Sequence, residues 1–274
     1  MRAVQTFTFL SLLFISSTTT AQRSRYWEDT PGTWLLNAGL GVTRYTGDLN
    51  ESGDLDHFQA GVAANLAISY RLSQQVSLRA EGQLYLIHGD QTHTRNFYNN
   101  LSFISLNPDV WAGVQVDLWR ADDAHRVHIP YMLAGVGLTY MTPRTFLEGN
   151  LYSLAPLQTE GVAYNRLPLI IRYGFGVPLA VGERFRLHLE GTYTHVNSDY
   201  LDDVSTVYVD LRNRSDPFVT IVADRRGEIG LPANKPGEQR GNSTRNDGYF
   251  VVAARLVYVL STPRLRNYRR AFGR

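Results

Sequence analysis

Two side chains in residues 184–196 could carry chemistry together. His188 and Glu190 stand two apart in a run where apolar and polar residues alternate. Period two places both on one face of a strand, as a general base and its orienter would be. No serine in a suitable motif accompanies them, so the spacing reads first as part of a structural polar network. His125-x-x-His128 could begin a metal site, but the sequence offers no evident third ligand, and a solvated turn accounts for it. Asp199, Asp202 and Asp203 concentrate carboxylates just after the strand. They lack the Asp-x-Asp-x-Asp-Gly spacing of a calcium loop, and a loop-capping or partner-docking role is expected. Gly39-x-Gly41 and Gly174-x-Gly176 have no helix behind them and are strand glycines, not nucleotide loops. Asn242-x-Thr244 matches a glycosylation acceptor but carries little weight in a bacterial-type exported chain. The expectation is a non-enzymatic protein with no catalytic residue, no metal and no cofactor.

Composition narrows the setting. The formal charge of +2 gives no general attraction to nucleic acid. Lys235 is the only lysine, so the positive charge is almost all guanidinium, the group best suited to buried ion pairs. With no cysteine in the sequence, a disulfide framework, a thiolate metal site, a thiol nucleophile and a lipid-anchored cysteine are all excluded. Arg2, the apolar run 7–15 and Thr19-x-Ala21 form a cleavable signal peptide over 1–21. That run is too short to cross a bilayer, and no other segment approaches 18 uninterrupted apolar residues.

The elements that position these residues are strands. Alternation predicts eight of them, at 34–45, 58–72, 76–87, 106–119, 127–140, 167–179, 184–196 and 248–260. They are long for a globular sheet and suit a tilted bilayer crossing. Connections are long after the first, third, fifth and seventh strands and short after the others, which predicts an eight-stranded antiparallel up-and-down transmembrane β-barrel with its long loops at one end. One face of every strand is apolar. Trp34, Tyr45, Tyr70, Tyr140, Tyr173 and Tyr258 are assigned to its interfacial girdles. The other face mixes small residues with Arg71, Arg79, Glu81, Asp117, Arg172, Arg186, His188, Glu190 and Arg255. Such a face suits a polar, filled lumen in which Arg79 and Glu81 pair with Arg186 and Glu190. A soluble lipocalin-type barrel would satisfy period two with the faces reversed, but ionisable groups on several strands and the strand length favour the membrane form. No segment reads as a helix. The chain divides into the signal peptide, a periplasmic leader (22–33), the barrel (34–262) and a periplasmic tail (263–274). That tail carries Arg264, Arg266, Arg269 and Arg270 for an anionic or protein partner. The setting is the cell outer membrane, with its lipid as a partner.

Three segments carry a resemblance. Tyr45-Thr46-Gly47-Asp48-Leu49-Asn50 follows the first strand, Asp199-Tyr200-Leu201-Asp202-Asp203-Val204-Ser205 the seventh, and Asn246-Asp247-Gly248-Tyr249-Phe250 opens the eighth. Together they resemble the Bacteroidota outer-membrane β-barrel family that includes PorG of the type IX (Por) secretion system. The resemblance covers most of the mature chain, and its acidic segment is the most specific part. It implies an eight-stranded barrel with an accessory role in secretion, associated with the periplasmic ring of PorK and PorN. The motif positions are then Gly47, Asp48, Asn50, Asp199, Tyr200, Asp202 and Asp203. A lipid- or lipopolysaccharide-modifying barrel enzyme and a small passive pore are the alternatives.

Overall fold

The computed structural model describes residues 30–50, 59–119, 128–181, 184–212 and 216–261. The signal segment, most of the leader, His125 and the arginine tail lie outside them. Among the described residues there are ten strands: β1 (Trp34–Thr46), β2 (Ala60–Arg71), β3 (Val76–Asp90), β4 (Ser102–Asp117), β5 (Tyr131–Thr139), β6 (Pro143–Leu147), β7 (Asn150–Ser153), β8 (Leu169–Val181), β9 (Phe185–Val196) and β10 (Gly248–Ser261). All pair antiparallel. Eight form a closed ring in the order β3-β2-β1-β10-β9-β8-β5-β4, with β3 pairing back onto β4. Closure satisfies the ladder groups that an open edge would leave bare.

Side-chain parity makes the wall. Leu40 is 72% and Phe175 68% exposed, whereas Arg172 and Glu190 are 1% exposed. Apolar residues outside and charged residues inside reverse the pattern of a soluble barrel and suit hydrocarbon. Aromatic residues mark both ends of the wall. Trp34 packs on Tyr70 at 4.7 Å and Phe185 on Tyr258 at 4.9 Å near the turn end. Tyr193 packs on Tyr173 at 5.7 Å and on Phe250 at 4.6 Å near the loop end. Tyr258 and Phe250 are eight residues apart on β10, about 27 Å along the strand. At a tilt of about 40° that projects to roughly 20 Å, close to the apolar band of such barrels.

The structure corrects the sequence reading in four places. Tyr45 is fully buried, because it shares parity with the inward residues Asn37 and Thr43 and cannot also face out. β3 and β4 remain paired up to Asp90 and Ser102, so the expected loop shrinks to 91–101. The segment expected as a loop from Met141 contains the β6–β7 hairpin, which extends β4 beyond the ring. Its Glu148-Gly149 turn has φ of 49° and 80°, the mirror-image turn that suits a two-residue hairpin. Finally, one short helix, α1 (Phe218–Ala223), lies in the last long loop.

Gly135 and Gly137 explain how the lumen admits a large ring. A Cβ on either would strike Trp111, which lies against both. Val110 faces outward between Gly82 and Leu138 at mid-wall. A Val110→Arg substitution should cost about 2–4 kcal/mol there and the same change at Leu118, near the rim, about 0–1 kcal/mol. Urea midpoints of the chain refolded in vesicles measure both.

Candidate functional site

Two buried polar clusters stand one above the other. The lower fills the lumen. Arg79 on β3 donates to Glu190 Oε2 at 2.7 Å and to Glu81. Arg255 on β10 grips Glu81 at 2.9 and 3.0 Å, and its Nε lies 2.7 Å from Glu190. Arg172 on β8 donates to Asp109 at 2.7 Å, to Tyr249 at 2.8 Å and to Thr194 at 2.8 Å. Three guanidinium groups therefore face three carboxylates, all nearly free of solvent. Trp111 lies 5.5 Å from the Arg79 guanidinium and 5.6 Å from that of Arg172, within cation–π range.

The structure brings together Arg79, Glu81, Arg172, Glu190 and Arg255. Asp117 instead pairs with Arg71 at 2.6 Å near the turn end. Arg186, expected to join Arg79 and Glu81, stays half-buried near His188, at the turn end of β9. His188 does not bond Glu190. Tyr131 stands between them, donating to Glu190 at 2.8 Å with its oxygen 3.3 Å from His188 Nδ1. Asp109, Tyr131, Tyr249 and Trp111 complete the cluster. Strand parity marks all four as inward, but only the register shows that they meet.

The upper cluster lies where the long loops converge, and all three sequence segments reach it. Tyr45, at the loop end of β1, donates to Asp202 Oδ2 at 2.6 Å, and its oxygen lies 3.1 Å from Asp247 Oδ1. Asp202 accepts the Val204 amide at 2.9 Å, and Asp247 accepts the Leu201 amide at 3.0 Å. Gly47 is required beside them, since a Cβ there would collide with the Tyr45 hydroxyl and Asp247. Asn50 donates to the Tyr45 carbonyl at 2.7 Å, and Asp48 accepts the Asn242 amide at 2.6 Å. Asn242 in turn accepts from Thr244, so the glycosylation-like motif forms a local turn.

Asp203 accepts from Thr159 at 2.5 Å and Tyr164 at 2.7 Å. Its φ of 70° is in the left-handed region that Asp tolerates. Tyr200 stacks on Tyr164 at 4.5 Å. Arg240 is buried and donates to Glu160 at 2.9 Å and to the Asp203 carbonyl at 2.6 Å. Glu160 also accepts the Ser205 and Thr206 amides. The Glu160–Arg240 clamp has no signal in the sequence, because its partners lie in loops with no period.

Burial raises several of these acids. It pushes Asp199 up to about 7, with Asp48 and Glu160 adding to the effect and Ser205 opposing it. Asp203 is pushed up to about 6 by burial, against the pull of Arg240. Burial also holds Asp202 and Asp247 well above the usual carboxylate range. Among the described residues, no group of three or more His, Asp or Glu side chains is placed to hold a metal ion.

The closed ring, apolar wall and polar filled interior define the fold of a small outer-membrane β-barrel. No family model matches the sequence, and no curated protein matches it. Solved structures with a similar fold include Neisserial surface protein A, 12% identical over 84% of this chain and 99% of that one, with a TM-score of 0.44. OprG of Pseudomonas aeruginosa is 11% identical over 85% and 98%, with a TM-score of 0.45. Ail of Yersinia pestis, in complex with the heparin analogue sucrose octasulfate, is 12% identical over 84% and 100%, with a TM-score of 0.39.

Glu81 pairs with both Arg79 and Arg255, sharing them with Glu190. A Glu81→Gln substitution should destabilise the barrel by about 3–5 kcal/mol, the cost of leaving a buried charge uncompensated. The temperature at which the folded band is lost in a heat-modifiable gel should fall accordingly.

Proposed function

We propose that this chain is a non-enzymatic outer-membrane β-barrel whose role is structural. More particularly, we propose that it is an accessory component of type IX protein secretion, similar to PorG, and that it contacts periplasmic ring proteins. The observation that supports this reading is the meeting of three distant segments at one site. Tyr45 with Gly47, Asp202, and Asp247 are the parts of the sequence that carry the resemblance, and they form one buried clasp.

The filled lumen directs function to the outside of the molecule. Three ion-paired arginines and their aromatic neighbours occupy the middle of the ring, which argues against a passive pore. The enzyme alternative draws no support from His188, which is buried and has only the Tyr131 hydroxyl beside Nδ1. The surfaces that remain are the loop cap and the turn end. The described chain begins and ends at the turn end, from which the arginine-rich tail continues.

Removing residues 263–274 should reduce co-purification with periplasmic ring proteins from native outer membrane several-fold while leaving the heat-modifiable gel shift intact. Unchanged recovery would remove the tail from the proposal. In planar bilayers the full chain should give no discrete conductance steps, and a steady unit conductance would favour the pore.

A further inference from the structure

We infer that a proton shared between Asp202 and Asp247 through Tyr45 clasps the long β9–β10 loop onto the barrel rim, and that loss of the proton releases it. Hydrogen-bond arithmetic carries the inference. A phenol has one proton to give. Tyr45 gives it to Asp202, at 2.6 Å. The contact with Asp247 Oδ1, at 3.1 Å, is then a hydrogen bond only if that carboxyl holds a proton and donates it. Without that proton, two carboxylates and a phenol oxygen would be crowded together in a site with 0–1% exposure, and an unpaired buried charge is costly.

The second observation is Asp199. It is 8% exposed, and of the groups that act on it Ser205 alone favours the ionised form, while Asp48 and Glu160 oppose it. Its charge acts on both Asp202 and Asp247. The other groups around the pair come from every neighbouring connection. Asp48 follows β1, Glu160 and Tyr164 precede β8, and Asp203, Arg225, Arg240 and Arg245 belong to the long loop itself. The cations are already engaged. Arg240 holds Glu160 and the Asp203 carbonyl, Arg225 pairs with Glu228 at 2.7 Å, and the charge of Arg245 acts on Asp48. Of the six carboxylates gathered here, Arg240 pairs with Glu160 and Asp203, and protonation is what relieves the excess.

The clasp joins three segments that are distant in sequence. Tyr45 ends β1, Asp202 lies in the loop after β9, and Asp247 precedes β10. The same carboxylates hold the loop's own amides at Leu201 and Val204. The sign of the pH dependence follows. An aspartate whose folded-state pKa is raised lends stability that is complete below its ordinary 3.8 and is lost as pH rises through the raised value. The cap is therefore tightest in acid and loosens progressively as pH rises from 3.8 towards the raised value. The inference concerns the cap alone and does not depend on the role in secretion.

Amide hydrogen exchange of the full chain refolded in phosphatidylcholine vesicles tests it at pH 5 to 9, after correction for intrinsic exchange. The protection of Leu201 and Val204 should fall by up to about tenfold per pH unit as pH rises from 5 towards the raised value and level off above it, the behaviour of a single-proton linkage. Protection in β3 and β10 should hold. Asp247→Asn, whose oxygen can accept the Leu201 amide while its NH2 donates to the Tyr45 oxygen as the protonated carboxyl would, should abolish most of that dependence, and Asp202→Asn, which keeps one acceptor and cannot ionise, should do the same if the first variant fails the gel-shift test of folding. Equal wild-type protection at pH 5 and 9 would overturn the inference. So would an undiminished slope in a folded variant, or a transition that follows added calcium at fixed pH.

Discussion

A charge inside this wall has no water to retreat to, and the rest of the structure is arranged around that constraint. Arg79, Arg172 and Arg255 stand in the lumen against Glu81, Glu190 and Asp109. Each would cost several kcal/mol if left alone. They come from β3, β4, β8, β9 and β10, so they are satisfied together only when the ring closes in one register. A slip of one residue would move every inward charge to the lipid side. The network therefore does more to select a register than to add net stability, since buried pairs often do no better than apolar residues of the same volume.

The two clusters follow opposite charge logic. In the lumen, guanidinium and carboxylate groups balance, and aromatic rings fill the remaining space. At the mouth, acids outnumber closely paired bases, and backbone amides and phenols supply donors instead. The lower cluster is permanent filling for the interior. The upper one is a set of acids held by short-range donors from long connections, and the inferred shared proton makes it sensitive to pH. That difference sets the fixed charge pairs of the lumen apart from the acid-rich cap.

Much of this was legible because strand parity is a hard rule. Alternation located the eight ring strands, and counting in twos marks Arg79, Glu81, Arg172, Glu190 and Arg255, which fill the lumen, whereas Arg186 and the Arg71–Asp117 pair, marked by the same count, stay at the turn end. Tyr45 shows the cost of leaving that rule. Its aromatic type suggested the outer girdle, but its odd position among Asn37 and Thr43 buries it. The acidic segment was recognisable as a unit, yet nothing in its spacing indicated that Asp202 and Asp247 would meet at one tyrosine. Glu160 and Arg240, 80 positions apart, sit in connections with no period and no fixed geometry. Such pairs become visible only once the ring has fixed where each loop starts and stops.

The claim on which all of this rests is a closed barrel with lipid outside and charges inside. The absence of cysteine allows it to be tested one position at a time, with single spin-labelled cysteines along β10 in vesicles. Positions 250, 252, 254, 256 and 258 should collide freely with dissolved oxygen and poorly with a water-soluble nickel complex. Positions 251, 253, 255 and 257 should collide poorly with both. Strong nickel collisions at 252, 254 and 256, or no alternation along the strand, would contradict the account.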